Sequence, residues 1–131
     1  MEIVFEGGKV VTALLNGHKI KTDQPFDNNG ENSAPAPFDL YMASIGTCAG
    51  IYVKSFCDRR NIPTDNIKLL QNIEYNNETH LPVNVTIEIK LPPDFPDKYR
   101  EAVVSTAELC AVKRSIANPP VFSITTSETE G

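Results

Sequence analysis

The chain has 131 residues, of which 40% are hydrophobic and 22% charged, and its formal net charge is -5. That length suits one domain spanning residues 1–131 with a modest core, and the composition is that of a globular protein. An acidic balance lacks the basic face that nucleic acid requires and gives no attraction to an anionic membrane surface.

The opening Met-Glu-Ile-Val-Phe-Glu has neither the basic flank nor the apolar core of a signal peptide. No apolar run approaches the roughly 18 residues of a membrane span, so a cytoplasmic location is expected. The three cysteines are odd in number and lack framework spacing. In a reducing compartment such thiols are structural, catalytic or redox-sensing.

In chain order, Glu2 to Glu6 reads as a short strand with Gly7-Gly8 as its turn. Lys9 to Leu15 is a second strand, and His18 to Asp23 a third. Between them Asn16-Gly17 is a strong hairpin signal, because both central positions of that turn favour positive φ. Gln24 to Ala36 holds Asp27-Asn28-Asn29-Gly30 and few apolar residues. It is a loop, either a surface connection or a functional one.

Pro37 to Arg59 is a long helix. Proline suits the first helical position, and Asp39 places a negative charge where the helix dipole favours it. Phe38, Tyr41, Met42, Ile45, Ala49, Tyr52 and Phe56 recur at helical spacing, with Leu40, Ala43, Ile51 and Val53 filling much of the remaining circumference. Apolar residues on most sides predict a buried helix. Its small residues, Gly46, Thr47, Ala49 and Gly50 around Cys48, predict close approach by another backbone in compensation for lost propensity.

Beyond the break at Asn61-Ile62-Pro63, Asn66 to Tyr75 alternates as a strand, and Val83 to Leu91 alternates without a fault. Asp97 to Ala117 reads as a second helix, stopped by Asn118-Pro119-Pro120. Val121 to Thr126 reads as a final strand before a polar tail. The order βββ-α-ββ-α-β predicts an α+β protein built on antiparallel strands.

Cys48 and Cys110 lie 62 positions apart, so only packing of the two helices can bring them together. Cys57 follows Cys48 by nine positions, which puts it on the opposite side of one helix and predicts a packing role. Lys113 and Arg114 follow Cys110 closely enough to favour its thiolate, although basic residues also suit a helix C-terminus on their own account. Either cysteine is a nucleophile or an ordinary core residue on this evidence. His18 and His80 have no partner at ligand spacing, and the cysteines are not paired as in a zinc site, so no metal is expected. No phosphate loop or dinucleotide fingerprint is present, and no cofactor is expected.

With these residues in hand, the chain resembles the family of osmotically inducible protein C and organic hydroperoxide resistance proteins (OsmC/Ohr). The likeness rests on Ala36-Pro37-Phe38-Asp39-Leu40 leading to Thr47-Cys48, on Leu109-Cys110-Ala111-Val112-Lys113, and on the element order. The resemblance implies two central helices with antiparallel sheet, in an intertwined homodimer. It implies a thiol-dependent peroxidase of the oxidative stress response. Cys48 would attack an organic hydroperoxide, Cys110 would resolve the product, and a dithiol reductant of the lipoyl type would reset the pair. Phe38, Tyr41, Ile45 and Tyr52 are the candidate substrate-lining residues. The family's N-terminal arginine, which favours the thiolate, has no counterpart, since the first arginine is Arg59. Asp39 stands where the family has the glutamate that holds that arginine, and His18, Lys19 and Lys21 are the alternative cations. The alternative function is a non-catalytic member that binds a small apolar ligand at the dimer interface.

Overall fold

A computed structural model describes residues 1–131. The chain divides into two compact units, Met1–Thr47 and Cys48–Gly131; the long helix contributes to both.

In the first unit, β1 (Glu2–Phe5), β2 (Val11–Leu15) and β3 (His18–Thr22) form an antiparallel sheet in the order β1-β2-β3. Leu15 lies opposite His18, and the two residues between them, Asn16 at φ 49° and Gly17 at φ 80°, make the tight turn that the dipeptide predicts. The following loop contains a 3-10 turn at Phe26–Asn28 and is tied down from within. Asp23 is buried, and its carboxylate accepts the Gln24 amide at 2.7 Å, the Ser33 amide at 3.0 Å and the Ser33 hydroxyl at 2.5 Å. Hydrogen bonding, chiefly from Ser33, holds its carboxyl at about 2, below the usual carboxylate value. Gly30 passes so close to the Gln24 carbonyl that a Cβ there would overlap it.

Helix α1 covers Pro37–Asp58, within one residue of the predicted span. Asp39 accepts the Ala36 amide at 3.3 Å, covering one of the free donors at the N-terminus. At the other end Asn61 adopts φ 53°, the Ile62 amide reaches the Cys57 carbonyl at 3.0 Å and the Asn61 amide the Asp58 carbonyl at 3.3 Å. These two bonds form a Schellman stop with asparagine in the left-handed position.

In the second unit, β4 (Lys68–Tyr75) pairs with β5 (Pro82–Lys90), with Leu69 opposite Ile89 and Ile73 opposite Val85. A short core joins them to the helices. Val53, Phe56 and Cys57 of α1 pack with Phe95 and Val103, and Ile62, Leu69, Ile89 and Tyr99 close around them. Arg60 lies 3.7 Å above the Phe56 ring and donates to the Phe56 carbonyl at 3.0 Å, so its charge caps the apolar cluster.

Four expectations are corrected. The predicted Asp97–Ala117 helix is a 3-10 turn at Asp97–Tyr99 followed by two helices, α2 (Arg100–Ala107) and α3 (Ala111–Ala117). Cys110, at φ -56° and ψ 140°, is the joint between α2 and α3 rather than a mid-helix residue. No strand forms at Val121–Thr126; Val121, Phe122 and Ile124 are 96%, 82% and 97% exposed. The reason is that a strand needs an edge to pair with, and β-forming residues alone do not supply one. Finally, α1 is not covered all round: Phe38, Tyr41 and Ile51 are exposed, and a Cβ added at Gly50 would touch nothing. The small-residue surface is present in one chain, but no backbone packs on it at Gly50.

Candidate functional site

The three thiols are all free, and their environments differ. Cys57 is 0% exposed. Burial, followed by the neighbouring Asp58 charge, raises its pKa, so at neutral pH it is a protonated core residue. Its position on the side of α1 opposite Cys48 is the one the nine-residue spacing predicts. Cys110 is 2% exposed. Its amide reaches the Ala107 carbonyl at 3.3 Å, and its own carbonyl accepts the Arg114 amide at 3.1 Å, opening α3. Cys48 is half-buried in the middle of α1 and is therefore the most approachable of the three.

The hydroxyls beside Cys48 are committed locally. Thr47 Oγ1 donates to the Ala43 carbonyl at 2.9 Å, and Ser44 Oγ donates to the Tyr41 carbonyl at 2.6 Å. Asp39 faces its own helix terminus at Ala36. Of the predicted lining residues, Phe38 and Tyr41 are exposed and meet edge to face at 5.5 Å, and Ile45 is buried. These three belong to the first unit, whereas Tyr52 belongs with Cys48 and Cys110 to the second. His18, Lys19 and Lys21 all lie on β3. No cluster of three or more His, Cys, Asp or Glu side chains is placed to hold a metal ion.

Sequence reasoning missed a groove of about 430 Å³ in the second unit, lined by Ile51, Tyr52, Ser55, Arg59, Thr106 and Leu109. The signal was in the spacing. Cys48, Tyr52, Ser55 and Arg59 recur at intervals of four, three and four, which is one face of a helix. Thr106 and Leu109 come from the end of α2 and the turn before Cys110 and form the opposite wall. The groove therefore combines the apolar Ile51 and Leu109, the hydroxyl-bearing Tyr52, Ser55 and Thr106, and one guanidinium.

The chain belongs to the OsmC-like protein family, whose model matches residues 30–125. Comparison with curated protein sequences finds no significant match. Among solved structures, the chain is similar to a protein of Psychrobacter arcticus 273-4 described in terms of osmotic stress induction and a detoxification response. The identity is 22%, the TM-score 0.72, and the match covers 87% of this chain and 85% of that one. It is also similar to an organic hydroperoxide resistance protein OsmC from Legionella pneumophila, at 18% identity and a TM-score of 0.52, covering 88% and 85% of the two chains. At these identities the structural likeness shows the fold, which is the α+β fold of the OsmC family. No helix is long and apolar enough to cross a membrane.

Proposed function

We propose that this protein reduces organic hydroperoxides through Cys48 and Cys110, as part of the redox or stress-response role that its family membership and the likeness to the Legionella hydroperoxide resistance protein support. The observation that carries this reading is the contrast among the thiols, with Cys48 half-buried and open to a small molecule while Cys57 and Cys110 are both buried. In the first step the Cys48 thiolate attacks the peroxide. A sulfur–oxygen bond forms, the O–O bond breaks, and the leaving alkoxide takes up a proton and departs as the alcohol. The sulfur is then a sulfenic acid. The Cys110 thiol condenses with it, forming a disulfide and releasing water. A small dithiol of the lipoyl type, a cytoplasmic reductant, returns both thiols and is itself oxidised to a disulfide.

The working assembly in this reading is a homodimer. The bare α1 surface at Gly50, the exposed Tyr75, Leu81 and Val83 around the tip of the β4–β5 hairpin, and the apolar tail are the surfaces that support a second copy. The second reading, a non-catalytic protein that binds a small apolar ligand at the dimer interface, is favoured by the absence of any arginine before Arg59.

One experiment separates the two. The reduced protein is titrated with cumene hydroperoxide and its free thiols are counted, in the wild type and in Cys48→Ser and Cys110→Ser. The expected result is loss of two thiols per chain, with a Cys48–Cys110 disulfide in the intact mass. Cys48→Ser is expected to resist, and Cys110→Ser to stop at the sulfenic acid. Retention of all thiols in the wild type, while a control peroxidase is oxidised, would leave the binding protein as the function.

A further inference from the structure

The groove that α1 lines from Ile51 to Arg59 is unlike the rest of the charged surface. The other cations near it are engaged. Lys54 pairs with Asp58 at 2.6 Å, Arg100 with Asp97 at 2.9 Å, and Arg60 lies on the Phe56 ring while donating to a carbonyl. Arg59 is different. Its amide closes the helix on the Ser55 carbonyl, but its guanidinium has no carboxylate, carbonyl or ring partner. It stands in a groove whose other walls are mostly apolar, in a chain whose net charge is -5. A free guanidinium is a planar set of donors matched to a carboxylate. Ser55 and Thr106 add hydroxyls, while Ile51 and Leu109 leave large side chains open to a hydrophobic guest.

We infer that this groove binds an amphipathic carboxylate, with the head group on Arg59 and the acyl chain over Tyr52, Ile51 and Leu109. The volume of about 430 Å³ falls in the range of small-ligand sites. Charge complementarity selects the occupant, because the one polar end of the groove is cationic. The geometry also fixes the direction in which the guest lies. From Arg59 the shared helix face runs through Ser55 and Tyr52 towards Cys48, eleven residues or roughly 16 Å of helix axis away. The chain of a carboxylate seated at Arg59 thus extends towards the half-exposed thiol. Binding itself needs no thiol chemistry. Use of the groove to present a hydroperoxy acid to Cys48 rests on the peroxidase reading above.

The test uses the full-length protein, with decanoate and its uncharged methyl ester as probes in isothermal titration calorimetry. Decanoate is expected to bind and the ester to bind roughly tenfold or more weakly, the worth of one charge-assisted contact. Arg59→Gln is expected to erase that difference, Arg59→Lys to restore part of it, and Arg114→Gln, which removes an equal charge outside the groove, to leave it intact. Decyl sulfate and decyl phosphate measure whether the head group is a carboxylate in particular or any anion; binding of either more tightly than decanoate would overturn the carboxylate assignment. Equal affinity of wild type and Arg59→Gln for decanoate would overturn the site. So would a finding that Leu109→Arg turns a dimer into a monomer without Arg59-dependent binding in either form, because the groove is then an interface between copies. The reaction of cumene hydroperoxide with the thiols of the wild type is measured in parallel, because that peroxide carries no anion for the groove to hold. Failure of that reaction in the wild type would remove the peroxidase reading while leaving the decanoate result to stand or fall by itself.

Discussion

The loop at residues 24–36 and the tail at residues 118–131 are both without regular strand, yet they are opposite kinds of segment. The loop is polar and closes on itself, with Asp23 gathering the Gln24 and Ser33 donors and Gly30 lying against the Gln24 backbone. The tail carries Val121, Phe122 and Ile124, all exposed, and forms no hydrogen-bonded ladder. Polar segments can satisfy their groups with near neighbours in the chain. An apolar segment gains strand stabilisation only from a sheet edge and an apolar face, and this tail is paired with neither.

That contrast is open to direct attack. The largest effect is expected from ending the chain at Asn118. On the homodimer reading proposed above, sedimentation should then report a monomer. A truncated chain that still dimerises would show that the tail has no part in assembly. Next in size, Phe56→Ala removes a core ring and the platform under Arg60, and should lower unfolding stability by about 3–5 kcal/mol in urea titrations, whether or not the tail is present. Gly30→Ala forces the loop away from Gln24, and faster proteolysis confined to residues 24–36 is the expected sign. The loop should also respond to acid. The folded-state carboxyl of Asp23 sits at about 2 against 3.8 in the free residue. Its contribution is therefore complete above pH 4 and is lost as the pH falls towards 2. The Ser33 amide resonance should titrate with that midpoint, and Asp23→Asn should abolish the titration. The smallest effect is expected at the exposed Lys54–Asp58 pair, where Asp58→Asn should leave the melting curve unchanged.

Most of the architecture was legible because the cues were local. Pro37 and Asp39 marked the start of α1, Asn16-Gly17 marked the first hairpin, and the alternation from Val83 marked β5 within one residue of where it begins. The break at Cys110 was not legible, since Glu108-Leu109-Cys110 contains neither glycine nor proline and the helical pattern runs through it. The tail was misread because β-forming residues do not by themselves supply the sheet edge that a strand needs. At the candidate site, the separation of Cys57 from Cys48 followed from helical geometry alone. The groove did not, because Thr106 and Leu109 reach it only through tertiary packing, although the recurrence ending at Arg59 was visible beforehand.

The sealing of Cys57 has a consequence for chemical fidelity. Any two of three thiols can in principle join, so an unstructured chain under oxidation would yield a mixture of cross-links. Packing one sulfur at 0% exposure among Val53, Phe56 and Val103, and holding it protonated, removes it from two of the three combinations. The core thereby disfavours cross-links through Cys57, and of the two remaining thiols Cys48 is half-buried and Cys110 is 2% exposed.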